Sequence, residues 1–187
     1  TKTFLGQIYI AGGACIPRHT GIELLPSSDI DLFVISSVQD DDPTSSKKRA
    51  DLEVICRTIC QLLRSEGYII TWEQEKNVVA VAPPSKRNIQ ICISLCTSIQ
   101  KLMTHFDLPA CQWATNGVEV LHSVLSLHAL HTKLITNNRH KDYKSERLVK
   151  YRLKGYKLDD KLTQFVEKDC GKQLQQLEQC LLYEYLI

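Results

Sequence analysis

The sequence has no run of 18 apolar residues, which excludes an ordinary membrane-spanning helix. Its opening stretch, TKTFLGQIYI, lacks the charged, apolar and small-residue succession of a secretory signal, and it starts on Thr rather than Met. These features predict an intracellular chain, cytoplasmic or nuclear, that is part of a larger polypeptide. No Gly-x-Ser-x-Gly elbow is present, so serine-hydrolase chemistry has no local support. The eight cysteines never take the two-residue spacing of a zinc knuckle. Cys56 and Cys60 sit one helical turn apart in an apolar pattern, and Cys92 and Cys96 flank a strand-like run. All eight are read as reduced, mostly buried thiols. Six histidines are scattered; His128 and His131 share a predicted helix face, but no Glu accompanies them.

What is present is the balance of a globular protein, with 43% hydrophobic and 24% charged residues. A chain of 187 residues makes one domain, or one domain with an appendage. The net charge of +2 conceals an asymmetry, because residues 139–157 hold eight Lys or Arg against two acids, a local +6 that leaves −4 elsewhere. Such a patch suits a polyanion such as RNA, another nucleic acid or a nucleotide phosphate; the alternative is a solvated helix face. Tyr143, Tyr151 and Tyr156 interleave with these charges, and Arg147, Lys150 and Lys154 fall on one side of a helix predicted over 143–153. These three basic residues are the nucleic-acid-binding candidates. In the alternative reading, Arg147 and Tyr151 lock the helix to the core.

Hydrophobic periodicity orders the chain. Strands are predicted at 7–11, 30–36, 68–72, 77–82 and 88–95, with hairpin material around Asn116-Gly117. Apolar positions Leu52, Ile55, Cys56, Ile59, Leu62 and Leu63 predict a helix over 47–66, stopped by Gly67. Further helices are predicted at 14–20 (interrupted by Pro17), 97–105, 122–135, 143–153 and 161–186. Strands and one long helix followed by mostly helices predict an α+β fold. The expected division is a core over 1–120 and a helical C-terminal extension over 121–187, packed on that core.

One stretch carries chemistry. A strand ends in Gly12-Gly13, and a second strand opens with Asp29-Ile30-Asp31. Residues i and i+2 of a strand share a face, so Asp29 and Asp31 project together. Two carboxylates this close repel unless a cation intervenes, and the fitting cation is a hard divalent metal, Mg²⁺ or Mn²⁺. A glycine turn followed by a helix N-terminus offers N–H groups to phosphate oxygens. Arg18 is placed to reach a phosphate or the Asp pair, and His19 lies beside it. These parts suit phosphoryl or nucleotidyl transfer from a nucleoside triphosphate.

The Gly-Gly turn, Arg18 and Ser28-Asp29-Ile30-Asp31-Leu32-Phe33 resemble the polymerase-beta-type nucleotidyltransferase superfamily, nearest to the head of its CCA-adding and poly(A) polymerase branch. Phe106-Asp107-Leu108-Pro109-Ala110-Cys111 and the stretch from Tyr143 to Tyr156 are similar to nucleotidyltransferase-like domains of large viral, fungal and protist proteins, often beside ankyrin repeats. The resemblance implies a short mixed β-sheet backed by helices, phosphates held at Gly12 and Gly13, and metal held by Asp29 and Asp31. It also implies a third carboxylate on an adjacent later strand. The strand 88–95 presents Gln90, Cys92 and Ser94 there instead, and Asp107 is the nearest downstream acid. Ala14-Cys15 stands where many members place a phosphate-binding Ser. A transferase and a catalytically inactive module that binds nucleotide, nucleic acid or a protein partner are therefore both expected readings.

Overall fold

The computed structural model describes residues 8–16, 29–36, 38, 46–72, 77–83, 87–94, 96–136 and 143–171. Arg18, His19, the Asp40–Asp42 loop and the predicted tail helix beyond residue 171 lie outside the described residues.

A seven-stranded mixed sheet forms the centre, built from β1 (Ile8–Ala11), β2 (Ile30–Ile35), β3 (Ile69–Trp72), β4 (Asn77–Val81), β5 (Ile89–Ser94), β6 (Trp113–Thr115) and β7 (Val120–His122). Their spatial order is β3-β4-β5-β2-β1-β6-β7. Neighbours are antiparallel except β2 and β5, which run parallel with Asp31 opposite Gln90 and Phe33 opposite Cys92. A parallel pair needs a long crossover. Here α1 (Ser46–Ser65) and the β3–β4 hairpin supply it.

The two faces of β2 are covered differently, as strand alternation requires. Leu32 and Val34 join Ile91, Leu52, Ile55, Cys56 and Ile59 under α1. Phe33 and Ile35 join Tyr9, Ala11, Ala114 and the buried side chains of α2 (Ile99–Thr104). Gly67, at φ +86, ends the α1 segment in the left-handed region as the sequence predicts.

The third core cluster draws on both ends of the described chain. Ile16, Leu108, Ala110, Cys111 and Trp113 pack with Ala129 of α3 (Val124–Thr132), with Leu148, Val149 and Tyr151 of α4 (Ser145–Leu153), and with Leu162 and Val166 of α5 (Asp160–Cys170). Full burial of one such aliphatic side chain contributes about 1.5–3 kcal/mol. No described helix is long and apolar enough to cross a membrane.

Of the helix predicted over 14–20, residues 14 and 15 belong to a 3-10 turn, Gly12–Cys15, that begins at the glycines themselves, and residues 17–20 lie outside the described residues. The hairpin material expected around Asn116-Gly117 forms β6 and β7, and Pro109 opens another 3-10 turn, Pro109–Cys111, ahead of them. The helix expected over 122–135 is shorter. Ser123 and Ser126 cap its start reciprocally, and Lys133, at φ 53, ends it. Beyond Lys133 a two-residue strand, β8 (Leu134–Ile135), pairs in parallel with β9 (Lys157–Leu158). Among the described residues seven cysteines are free thiols; Cys56, Cys60 and Cys111 are buried, and Cys15, Cys92, Cys96 and Cys170 are half-buried.

Candidate nucleotide site

β1 delivers the chain straight into the Gly12–Cys15 turn, and antiparallel pairing of β1 with β2 holds that turn beside the start of β2. Gly12 has φ +86, where an L side chain is strained. A Cβ on Gly12 would stand 3.6 Å from Asp31 Oδ2, an ordinary contact, so the backbone angle is what calls for glycine. Gly13 is constrained differently: a Cβ there would stand 3.1 Å from Tyr151 Oη. The turn is thus held between the carboxylate of β2 and the hydroxyl of α4.

Asp29 is exposed at the entry to β2, and Asp31 is half-buried two residues on. Burial raises the Asp31 carboxyl above its ordinary range; Arg147 and Lys150 work against this rise, and Asp29 adds to it. α4 therefore faces the carboxylates across the glycine turn. Gln90, the register partner of Asp31, is the side chain on β5 where the resemblance implies a third acid. Cys92 follows on the same face, its thiol pushed up to about 12 by burial and then by the Asp31 charge. Cys15, on the glycine turn, is likewise raised to about 11, mainly by burial, and its Sγ donates to the Ile10 carbonyl at 3.0 Å.

Asp107 does not join Asp29 and Asp31. It follows α2 on the segment packed against α4, where Oδ2 lies 3.1 Å from Arg147 Nε and Oδ1 accepts the Leu108 N–H at 2.9 Å. Both of its oxygens are engaged, and the expectation of a third metal-site acid gives way to a counter-ion for Arg147. Arg147 also donates to Cys111 Sγ at 3.4 Å, and Cys111 Sγ lies 2.7 Å from Tyr151 Oη. Both Arg147 and Tyr151 therefore fasten α4 to the Pro109–Cys111 turn.

Of the expected nucleic-acid-binding residues, Arg147 and Lys150 lie within electrostatic reach of Asp31. Lys154 lies over the Tyr151 ring, with Nζ 5.0 Å from the centroid. Tyr151 and Tyr156 are buried and packed against one another at 5.7 Å, and Tyr143 packs on the same cluster, so these rings serve the core rather than an open stacking platform. Cys111 is the site residue that sequence reasoning missed as a contact; its partners are distant in the chain, and no periodicity marks it.

Among the described residues no group of three His, Cys, Asp and Glu side chains is placed to hold a metal ion. Among the described residues the oxygen-bearing side chains at the start of β2 and on the facing position of β5 are the Asp29 and Asp31 carboxylates and the Gln90 amide. That set fits one hard divalent cation whose remaining positions are filled by phosphate and water oxygens.

No family model matches the chain, and no curated protein sequence matches it. Solved structures do. A CCA-adding enzyme of Thermotoga maritima complexed with tRNA aligns over 97% of this chain and 45% of its own, with TM-score 0.61 and 13% identity. A CCA-adding enzyme with CTP aligns over 96% of this chain and 45% of its own, with TM-score 0.58 and 13% identity. The apo form of a tRNA-processing enzyme aligns over 90% and 43%, with TM-score 0.58 and 14% identity. The chain spans less than half the length of each. With the glycine turn leading out of β1 and Asp29-Ile30-Asp31 opening β2, this likeness shows that the chain has the polymerase-beta-type nucleotidyltransferase fold.

Proposed function

We propose that this domain binds a nucleoside triphosphate together with Mg²⁺ or Mn²⁺ and transfers its nucleoside monophosphate to a hydroxyl acceptor. The observation that carries this reading is the approach of the glycine turn to Asp31, with Asp29 at the entry to the same strand and close enough to act on the Asp31 charge. Asp29 and Asp31 would hold the cation, with the Gln90 amide beside them. When bound, the cation neutralises phosphate charge and activates the attacking hydroxyl. The chain's own part is to bind and orient. The Gly12–Cys15 turn presents backbone N–H groups to phosphate oxygens, and Arg147 and Lys150 add positive charge on the opposite wall. The acceptor to test first is an RNA end, because structures with this fold include one complexed with tRNA and others with CTP and ATP.

Gln90 favours a second reading, a nucleotide-binding module without transferase activity. A carboxylate at its position would orient or deprotonate the acceptor hydroxyl, and general-base assistance of this kind contributes roughly 10²–10⁴-fold. Asp107 is occupied with Arg147 and does not replace it.

The test is calorimetric titration of each nucleoside triphosphate with Mg²⁺ or Mn²⁺ into the protein and into Asp29→Asn/Asp31→Asn, followed by transfer of α-phosphate label to RNA. Metal-dependent binding lost in the double variant, with label transferred, supports the transferase. The same binding without transfer selects the second reading. No binding at millimolar nucleotide refutes both.

A further inference from the structure

The outer strand β7 and the helix that follows it, α3, carry little charge and much exposed apolar surface. Residues 117–132, GVEVLHSVLSLHALHT, hold one acid, Glu119, and no Lys or Arg, in a chain that is 24% charged. Val118 is 88% exposed and Val124 83%, and Val120, Leu125 and Leu127 are exposed with them. Of the nine residues of α3 only Ser126 and Ala129 are buried, so a helix with apolar residues all round it is left largely uncovered. The five exposed side chains leave roughly 400 Å² of apolar surface in water, in the range of the largest patch on an ordinary monomer, which often serves binding.

The strand itself is an open edge, because β7 ends the sheet beyond β6. The Ser123 N–H donates to the Gln112 carbonyl at 3.2 Å, and Leu121 is the register partner of Ala114. By antiparallel alternation the N–H and C=O groups of Leu121 and Ser123 therefore face β6, and those of Val120 and His122 point outward along the free edge. Exposed edges are commonly guarded by Lys or Pro, and the stretch from Val118 to His122 has neither.

We propose that this edge pairs antiparallel with the same edge of a second copy, giving a two-fold homodimer through β7 and α3. A two-fold axis at Leu121 sets Val120 opposite His122 of the partner subunit, so every outward N–H and C=O of these two residues gains a partner. The same register brings Val118 toward the partner's Val124, because Ser123 between strand and helix is still extended, with φ −87 and ψ 162. The two most exposed of these side chains thus cover one another.

Three features fit a second copy. The register is self-complementary; the one formal charge, Glu119, falls opposite Ser123 of the partner subunit rather than opposite another charge; and the area suffices. Buried on both copies, the apolar surface comes to about 800 Å², and the paired edge carries the total past the roughly 1,000 Å² that a specific interface needs. The inference does not depend on the nucleotide reading, since β1 and β6 stand between β7 and β2. The pairing runs one sheet through both copies and places both Asp31 carboxylates on the same face of it, roughly 34 Å apart.

Sedimentation velocity of the chain from about 2 to 200 µM tests the pairing, with a micromolar dissociation constant expected for an interface of this size. Val118→Glu/Val124→Glu sets like charges against each other at two symmetric contacts and is expected to weaken association on the order of 100-fold. Val118→Lys/Val124→Glu removes the same apolar groups but opposes unlike charges, and is expected to associate about tenfold more tightly than the first variant, a gain that shrinks in high salt. Both positions are exposed, so both variants are expected to keep the parent's thermal transition at low concentration. Hydrogen exchange needs only the parent: the Val120 and His122 amides are expected to exchange more slowly at the high concentration than at the low one. A parent that stays monomeric at about 200 µM overturns the proposal and leaves the surface to a different chain. So does equal association by the two double variants, or a dimer whose Val120 and His122 amides exchange as fast as in the monomer.

Discussion

Replacing Gly13 with alanine tests whether the glycine turn and α4 are packed as one unit. The new Cβ would stand 3.1 Å from Tyr151 Oη, a separation that forces one partner to move by a few tenths of an ångström. Tyr151 has little room to give. It is 4% exposed, its hydroxyl lies 2.7 Å from Cys111 Sγ, and its ring contacts both Tyr156 and the Lys154 ammonium. Overpacking of this kind costs about 1–3 kcal/mol. Tyr151→Phe alone loses one hydrogen bond, about 1 kcal/mol, and opens the space that the added methyl group needs. The double variant is therefore expected to be more stable than the sum of the single losses by roughly 0.5–2 kcal/mol. Urea denaturation of all four proteins measures this coupling. Additive losses would refute the reasoning, because the two positions would then not share the contact.

Gly12→Ala makes no comparable clash, but its φ of +86 costs about 1–2 kcal/mol, and Tyr151→Phe should not rescue it in the same denaturation series. Lys154 has a native value of about 8 against an ordinary 10.5, so the unfolded chain binds the extra proton between these values and stability rises with pH across that window. Lys154→Met is accordingly expected to exceed the parent in denaturation midpoint at pH 7, with the advantage gone near pH 10.5; an advantage that grows with pH would contradict this. Asp107→Asn removes a half-exposed ion pair and is expected to cost no more than about 1 kcal/mol while metal-dependent nucleotide binding persists. Loss of that binding in calorimetry would return Asp107 to the metal site. Gln90→Asp places a carboxylate opposite Asp31 and is expected to raise label transfer, up to roughly 10²-fold; an unchanged rate would show that position 90 does not limit the chemistry.

The parts legible in the sequence are those that local geometry decides. The strand that carries Asp31 follows from its apolar run, with Asp29 just before it, and the α1 stripe from Leu52 to Ile59 follows from the helical period. Gly12-Gly13 reads as a turn because it ends a β-branched run. The far side of the site is written in contacts between distant segments. The ion pair of Asp107 with Arg147, the Cys111–Tyr151 contact and the approach of Tyr151 to Gly13 each join positions with no common period. Of the residues that read as a nucleic-acid face in the sequence, Tyr151 and Tyr156 are drawn into the core with Leu148 and Val149, whereas Arg147 stays exposed and Lys150 and Lys154 half-buried. β8 and β9 escape for a simpler reason: two residues are too few to show alternation.

The contact between Gly13 and Tyr151 also governs when the site can exist during synthesis. The glycine turn is among the first described segments to be made, yet the wall against it arrives with α4, near the end of the described chain. A nascent chain emerging from the ribosome can pair β1 with β2 early, but it lacks the α4 face until residue 154 has emerged. Nascent chains halted before α4 would accordingly carry the Asp pair without its opposing wall, so nucleotide affinity would be a property acquired late in synthesis.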